Sequence, residues 1–197
     1  MKIVDAHTLP AEHRQSLRPG EWLEDASGER HRLPRFFYEV PSWQEAKQFK
    51  LTAHFALAEL ITVDCREARV LFRHPPLYVP CAVTILARYL EDFRARVDAS
   101  VYISANGGYR SPAHQWDRSL PDGRSSAHHW GTAADIYRVG DTWLNASGAI
   151  ERFARIAAGI GEEVFVRPYG TGPGETDDHL HLDLGFLTVV PHGWSEA

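Results

Sequence analysis

Two histidines and an aspartate stand close together in "SSAHHWGTAADI", residues 125 to 136. Neutral imidazole and carboxylate groups are common zinc ligands, and a catalytic zinc site keeps three of them. His128 and Asp135 are seven residues apart, so a continuous strand would place them on opposite faces. Gly131 permits a turn, which would leave His128 in a loop and Asp135 on the following strand. The stretch therefore predicts two metal ligands, with ordinary loop histidines at 128 and 129 as the simpler interpretation.

A second polar cluster lies in "HLHLDLG", which begins at His179. Alternation along a strand would place His179, His181 and Asp183 on one face and three leucines on the other. Because the leucine face must be the core side, the histidine face would look into a polar cleft. His181 is then the candidate for a third ligand. A polar stripe facing solvent is the alternative for this strand taken alone.

The composition is typical of one globular domain. The chain has 197 residues, of which 44% are apolar and 24% charged, with a net charge of -5. That balance argues against a nucleic-acid partner, and no apolar run reaches the roughly 20 residues of a membrane span. The first residues lack the apolar segment of a secretory signal, so we expect a cytoplasmic protein unless another route releases it. Cys65 and Cys81 predict buried packing rather than a disulfide framework.

The elements that must position these residues predict an α+β domain. Residues 1–40, interrupted by prolines and glycines, predict an irregular N-terminal extension, and residues 41–197 a single domain. A capping-box pattern at Ser42 opens a short helix, and apolar spacing of three and four predicts helices within 80–98 and over 146–158. A small, mostly antiparallel sheet of about four strands would pack against helices on one side. Its strands are expected to begin at Val101, Ala133, Glu163 and His179.

Several motifs, taken together, resemble those of the zinc D-Ala-D-Ala carboxypeptidases and related peptidoglycan peptidases. "SAHHWGTAAD" fits that family's S-x-H-x-x-G-x-A-x-D signature, and "HLHLD" fits its second metal motif. "GYRSPAH", from Gly108 to His114, is similar to its substrate-site segment, and "HFALAEL" to a short lead-in segment. The motifs run in the family's order from about residue 52 to residue 185. The Hedgehog signalling domain shares this metal fold, so the resemblance implies a Hedgehog-like and DD-peptidase-like architecture.

The resemblance implies a metal site and an arginine with a role in the reaction. His128, Asp135 and His181 would bind one zinc ion. Asp183 would orient an imidazole rather than bind the metal. Arg110, in "YRSP", would stabilise the developing oxyanion or hold a substrate carboxylate, for which its fixed donor fork is suited.

The resemblance leaves two candidates for the general base. Carboxypeptidase-like members place an acidic residue three positions before the last ligand, which corresponds to Asp178. Hedgehog-like members place a glutamate six positions before it, which keeps Glu175 open. His179 would donate a hydrogen bond to the transition state. The expected substrate contacts are Ser126, Tyr109 and Ser111.

The function implied is that of a zinc-dependent peptidase cutting next to a D-amino acid in peptidoglycan stem peptides, as a D,D-carboxypeptidase or an endopeptidase. Zinc would be the cofactor and D-amino-acid-containing peptides the partners. Asn106 and Gly107 stand where a serine usually precedes the glycine, which leaves the substrate preference open. A non-catalytic zinc-containing binding module on the same fold is the alternative. Four aromatic residues would wall the cleft or pack in the core: Tyr109, Trp116, Trp130 and Tyr169.

Overall fold

The first 40 residues are regular rather than irregular in the computed structural model, which describes residues 1–62, 78–113 and 125–195. The prolines and glycines that suggested irregularity lie between short elements: Pro10 directly precedes a helix, and Gly20 and Gly28 lie in connections. The elements are β1 (Lys2–Asp5), α1 (Ala11–Leu17), β2 (Trp22–Glu24), β3 (Arg30–Arg32) and β4 (Phe36–Glu39).

A three-stranded antiparallel sheet ties this region to the rest of the chain. Its order is β1–β4–β5, where β5 is Tyr78–Pro80. Phe37 of β4 lies opposite Val4 on one side and Pro80 on the other. Phe37 and Val79 are buried, so the pairing also buries apolar surface. The assignment of 41–197 as a separate domain stays a prediction.

The β2–β3 hairpin is held by its own turn residues. Asp25 accepts hydrogen bonds from the backbone N–H groups of Ser27 and Glu29, at 2.8 and 3.0 Å, and lies 2.8 Å from Nε2 of His31. The Ser27 hydroxyl bond is the largest of the interactions that hold the pKa of Asp25 well below its usual range. Asp25, Glu29 and His31 are close enough together to form a metal-ligand group, but the Asp25 carboxylate already closes the turn.

The central sheet has five strands in the described part of the chain, where about four were expected. They are β6 (Val101–Ile103), β7 (Ala133–Val139), β8 (Thr142–Trp143), β9 (Phe165–Val166) and β10 (Leu180–Asp183). The order is β6–β7–β10–β9, with β8 paired to the end of β7, and every pairing is antiparallel. The last strand in sequence thus lies inside the sheet, next to β7.

One face of this sheet is the core side, as the leucine alternation predicts. Leu180, Leu182 and Leu184 are at most 5% exposed and belong to the main hydrophobic cluster. Two amphipathic helices cover this face: α3 (Val83–Val97) contacts β7, and α5 (Ser147–Ala158) contacts β9 and β10. The opposite face carries His181 and Asp183, and it is available for a polar site. The α+β class and the helices on one side are therefore confirmed.

Smaller elements complete the scaffold. Helix α2 (Trp43–Gln48) begins after Ser42, whose hydroxyl accepts the N–H of Glu45 at 3.2 Å, as the capping pattern predicts. Cys81 is buried, which raises its pKa to about 12, whereas Cys65 lies outside the described residues. In the ranges that the structure covers, no helix has the length and apolar character needed to cross a membrane.

Candidate metal centre

Three side chains from different elements converge on the polar face of the central sheet. His128 lies on the one-turn helix α4 (Ala127–Trp130), Asp135 on β7 and His181 on β10. The β7–β10 register places Asp135 and His181 directly opposite each other. One potential ligand atom from each of the three lies within 4.8 Å of the others. Two imidazole nitrogens and a carboxylate oxygen form a donor set that suits zinc, so these residues fit the metal that the motif implies.

Helix α4 is where the structure departs from the expected loop. His128 lies within its single turn, which ends because Gly131 adopts a left-handed conformation with φ of 70°. Glycine takes this conformation without the penalty that a Cβ imposes. The reversal at Gly131 leads into β7 and brings Asp135 back toward His128. Nδ1 of His128 is 2.9 Å from the Gly108 carbonyl, which leaves Nε2 facing the Asp135 carboxylate at 3.3 Å.

The charge states of His128 and Asp135 suit metal binding. Burial lowers the pKa of His128 to about 4, against the opposing effect of Asp135, so this imidazole is neutral at neutral pH. Burial would raise the pKa of Asp135, but the charges and hydrogen bonds of His128 and His181 outweigh it and hold that pKa well below the usual range. A neutral imidazole and an ionised carboxylate are the forms that coordinate metal ions.

His181 is held between two carboxylates. Its Nδ1 is 2.7 Å from Oδ1 of Asp135, and its Nε2 is 2.8 Å from Oδ2 of Asp183. Burial alone would lower the pKa of His181, but hydrogen bonds to both carboxylates outweigh burial and raise it. Asp183 also accepts the N–H of Gly185 at 2.8 Å, which fixes its carboxylate. Asp183 therefore lies on the far side of the imidazole, where it orients the ring.

A cleft of about 550 Å³ opens beside the triad formed by His128, Asp135 and His181. His128 and Asp135 line it, and so do Arg110, Asp178 and His179, which the sequence motifs had singled out. Nη1 of Arg110 donates to the Asn106 carbonyl at 2.6 Å. The remaining lining residues are Ser104, Ala105, Asn106, Tyr137 and Arg167.

Sequence reasoning missed Tyr137 and Arg167. Arg167 follows β9, and its backbone N–H lies 3.3 Å from the His181 carbonyl. The signal was the alternation already used for the histidine strand: Val164 is buried and Val166 packs on the core. Side chains alternate between the two faces of a strand, so the residue after Val166, Arg167, lies on the opposite, polar face. Applied to "EVFVRPY", this argument would have placed Arg167 beside the site.

The two acidic candidates for the base occupy different places. Asp178 lines the cleft, and its Oδ1 lies 2.5 Å from Nδ1 of His179. Nε2 of His179 in turn lies 3.4 Å from Oδ1 of Asp135, so this ring bridges the acidic residue and the triad. Glu175 is exposed and accepts the N–H of Gly172 at 2.7 Å, within its own loop. Of these two residues, Asp178 is the one that lines the cleft beside the triad.

The three expected substrate contacts are not among the residues that line the described cleft. Tyr109 is 1% exposed and packs in the main core, because its N–H and carbonyl bond to the segment at Leu60 and Thr62. Ser111 and Ser126 are partly buried, but neither lines the cleft.

The four aromatic residues that were expected to wall the cleft or pack in the core are not part of the described cleft lining. Trp130 is fully buried, and Tyr169 is 39% exposed but does not line the cleft. Trp116 lies outside the described residues. Tyr137 is the aromatic residue that the described lining contains.

Gly107 has a packing role that explains the unusual "ANGGYR" sequence. A Cβ at this position would lie 2.6 Å from the Asp135 carbonyl and 2.9 Å from the Asp135 Cβ. The Gly107 carbonyl accepts the N–H of Asp135 at 2.9 Å. The lack of a side chain therefore lets this segment lie directly against the residue at the centre of the triad.

Comparison with known proteins agrees with this geometry. A family model described as Peptidase M15 matches residues 53–183, about two thirds of the chain and a range that includes the triad. The chain belongs to the Peptidase M15 family. Searches of curated proteins and of solved structures returned no match. Members of this family are metal-dependent peptidases, so the protein is a metallopeptidase by family, as the motifs indicated.

Proposed function

We propose that this protein is a zinc-dependent peptidase that hydrolyses a peptide bond next to a D-amino acid in peptidoglycan stem peptides. The observation that carries the proposal is the presence in one place of a zinc-type donor set, an acidic residue and an arginine. These groups are the triad His128, Asp135 and His181, with Asp178 and Arg110 in the adjoining cleft. The D-amino-acid specificity follows from the motif resemblance.

When bound, zinc would supply Lewis acidity toward the scissile carbonyl and toward water. The proton transfers and the stabilisation of developing charge are carried out by side chains of the cleft. Asp178 accepts the proton of the attacking water and passes it to the leaving amine, which is general acid–base chemistry. His179, 2.5 Å from Asp178, restrains that carboxylate and has its second nitrogen directed toward Asp135. Arg110 stabilises negative charge that develops on the carbonyl oxygen.

Incubation of the zinc-loaded protein with purified peptidoglycan, followed by mass spectrometry of the released products, tests the proposal. We expect a product that has lost D-alanine or has been cut next to a D-centre, and far slower release of that product by Asp178→Asn at equal zinc content. Binding of stem peptides without turnover would instead identify the chain as a zinc-containing binding module.

A further inference from the structure

Three side chains form one row across the neighbouring strands β6, β7 and β8, which we call the aromatic row. Tyr102 lies opposite Arg138, and Arg138 lies opposite Trp143. The guanidinium carbon of Arg138 is 3.9 Å from the centre of the Tyr102 ring and 5.5 Å from the centre of the Trp143 ring. Because a cation is attracted to the face of each aromatic ring, the three planar groups hold one another in place.

The aromatic row is continuous with the cleft through Tyr137. The Tyr137 side chain lines the cleft, whereas Tyr102 and Trp143 are not part of the described lining. The centre of the Tyr137 ring lies 6.2 Å from that of Tyr102 and 5.4 Å from that of Trp143. A long ligand whose reacting part lies in the cleft can therefore extend past Tyr137 onto the row.

The exposure of Trp143 points to a ligand. Trp143 is 57% exposed, the highest value among the exposed large apolar side chains of the described ranges. Cross-strand contacts with Arg138 explain why the side chain stabilises the sheet, but they leave most of the indole in contact with water. Exposed aromatic side chains that adjoin one another, rather than lying singly, mark interaction sites.

The chemistry of the row suits a sugar ring. A pyranose presents C–H groups on its flat faces and oxygen atoms around its edge. The C–H groups match the partially negative faces of Tyr102 and Trp143, and the oxygens can accept N–H groups of Arg138. Within the ranges that the structure covers, no carboxylate pairs with Arg138, so its guanidinium can serve as such a donor.

The charge of the chain favours a neutral ligand over a nucleic acid. Single-stranded nucleic acids also stack on aromatic side chains, but their phosphates require several cations in the same groove. The aromatic row has one cation, Arg138, and the chain has a net charge of -5. A chain of neutral sugars is therefore the ligand that fits this surface best.

We propose that Tyr102, Arg138 and Trp143 bind a pyranose ring of the N-acetylated glycan chain to which a peptidoglycan stem peptide is attached. This inference rests on the proposed function, and it adds a second part of the substrate that is recognised outside the cleft. The glycan holds the polymer on the row while the stem peptide enters the cleft past Tyr137. Glycan-linked stem peptides are then better substrates than free ones.

The binding test uses a probe without any peptide. The full chain, treated with a chelator, is titrated in a calorimeter with peptidoglycan glycan strands from which an amidase has removed the stem peptides. We expect Trp143→Ala to weaken binding about tenfold, as for the loss of one stacking contact. Trp143→Phe should keep part of the affinity, because an aromatic face remains.

Trp22→Ala is the matched control. Trp22 is 54% exposed and has the guanidinium carbon of Arg30 at 5.8 Å from its ring centre, but it lies on β2 and does not line the cleft. Its replacement should leave glycan binding unchanged. No glycan binding by the unmodified chain, equal binding by Trp143→Ala, or an equal loss in Trp22→Ala would overturn the proposal. Self-association of the chain that depends on Trp143, measured by sedimentation, would also overturn it, since a second copy would then cover the row.

Kinetics with the zinc-loaded chain separate this inference from the proposed function. We expect Trp143→Ala to lower kcat/KM about tenfold more for glycan-linked stem peptides than for free stem peptides. An equal fall for both substrates would show that Trp143 contacts the peptide and would overturn the glycan assignment. Glycan binding that depends on Trp143, without cleavage of any stem peptide, would contradict the peptidase instead. Thermal unfolding of each variant confirms that the comparison is between folded proteins.

Discussion

At the scale of single residues, the site depends on how each donor is held. His128 is oriented by the Gly108 carbonyl through Nδ1, and His181 by Asp183 through Nε2. Each ring therefore presents its other nitrogen toward Asp135. Outer hydrogen bonds of this kind fix both the tautomer and the orientation of metal-binding histidines. The protein thus prepares a geometry in which a single carboxylate lies between two imidazoles.

The first prediction concerns zinc content. We expect one zinc ion per chain by elemental analysis, and loss of most of it in His128→Ala or His181→Ala, because two remaining donors hold the ion poorly. His192→Ala, which changes an exposed histidine, should retain the metal. Unchanged zinc content in both triad variants would show that these histidines do not bind it.

The second prediction compares the two acidic residues. Asp178→Asn should keep fold and zinc but lower kcat by roughly 100-fold or more, as expected for loss of a general base. Glu175→Gln should have a much smaller effect, because the Glu175 carboxylate binds the Gly172 N–H in its own loop. The measurement is kcat at matched zinc occupancy. The reverse ranking would assign the base to Glu175.

At the scale of elements, α4 is supported by a hairpin that lies outside the family-matched range. The Trp130 indole N–H donates to the Arg32 carbonyl of β3 at 2.9 Å, and the Ser125 N–H donates to the Glu24 carbonyl of β2 at 2.9 Å. Trp130 also packs in a small buried cluster with Leu23, Leu33 and the partly buried Phe186. The β2–β3 hairpin therefore holds the helix that carries His128.

The third prediction tests this support. Trp130→Phe removes the indole donor and part of a fully buried ring. We therefore expect the free energy of unfolding to fall by about 1–3 kcal/mol, from the lost hydrogen bond and the space left by the smaller ring. Denaturant unfolding measures the change. Trp143→Phe is the matched control, because Trp143 is 57% exposed and its replacement should change stability by less than about 0.5 kcal/mol. An equal loss of stability in the two variants would contradict the inference that the β2–β3 hairpin supports α4.

Elements that the sequence predicted well have a strong local pattern. Helices α3 and α5 have an apolar stripe at helical spacing, and β10 alternates strictly between leucine and polar residues. The strands of the first 40 residues were missed because they are three or four residues long, and β1 gains its partner only from β4, more than thirty residues away. Pairing at that distance leaves no local signal.

The site residues also divide into those that a local pattern marks and those that depend on distant pairing. The proximity of His128, Asp135 and His181 could be predicted because a motif and a strand alternation marked these residues. Arg167 has no motif, and its place in the cleft depends on β9 pairing with β10. Tyr109 was expected at the substrate because it lies within a motif, but its backbone pairs with the segment at Leu60 and its ring enters the core.

At the scale of the whole molecule, one ion pair fastens the N-terminal strand to the connection before β4. Asp5 is 7% exposed and accepts two hydrogen bonds from Arg35. The hydrogen bond to Arg35 lowers the pKa of Asp5, against the opposing effect of burial. A carboxylate whose pKa is depressed in the folded state stabilises that state above its unfolded pKa, and this contribution is lost as pH falls through the folded pKa.

The fourth prediction is a pH dependence of stability. An Asp in the unfolded chain has a pKa of about 3.9. As the pH falls from about 5 through this value, the free energy of unfolding of the unmodified chain should fall more steeply than that of Asp5→Asn, which has no carboxylate at position 5 to protonate. Asp141→Asn, at an exposed position, should follow the unmodified chain. Urea unfolding measured at several pH values provides the comparison. If the free energy of unfolding depended on pH in the same way in Asp5→Asn and in the unmodified chain, a stabilising role for the Asp5–Arg35 ion pair would be excluded.

The position of β10 has a consequence for the order of assembly during synthesis. Of the five strands in the central sheet, β10 is the latest in sequence, yet it lies between β7 and β9. As the ribosome releases the chain, β7 has no partner on that edge until residue 180 has emerged, and chain growth is about 5–20 residues per second. His128 and Asp135 are made long before His181. The pairing of β10 with β7 and the completion of the triad are therefore one event, so an unfinished chain has neither.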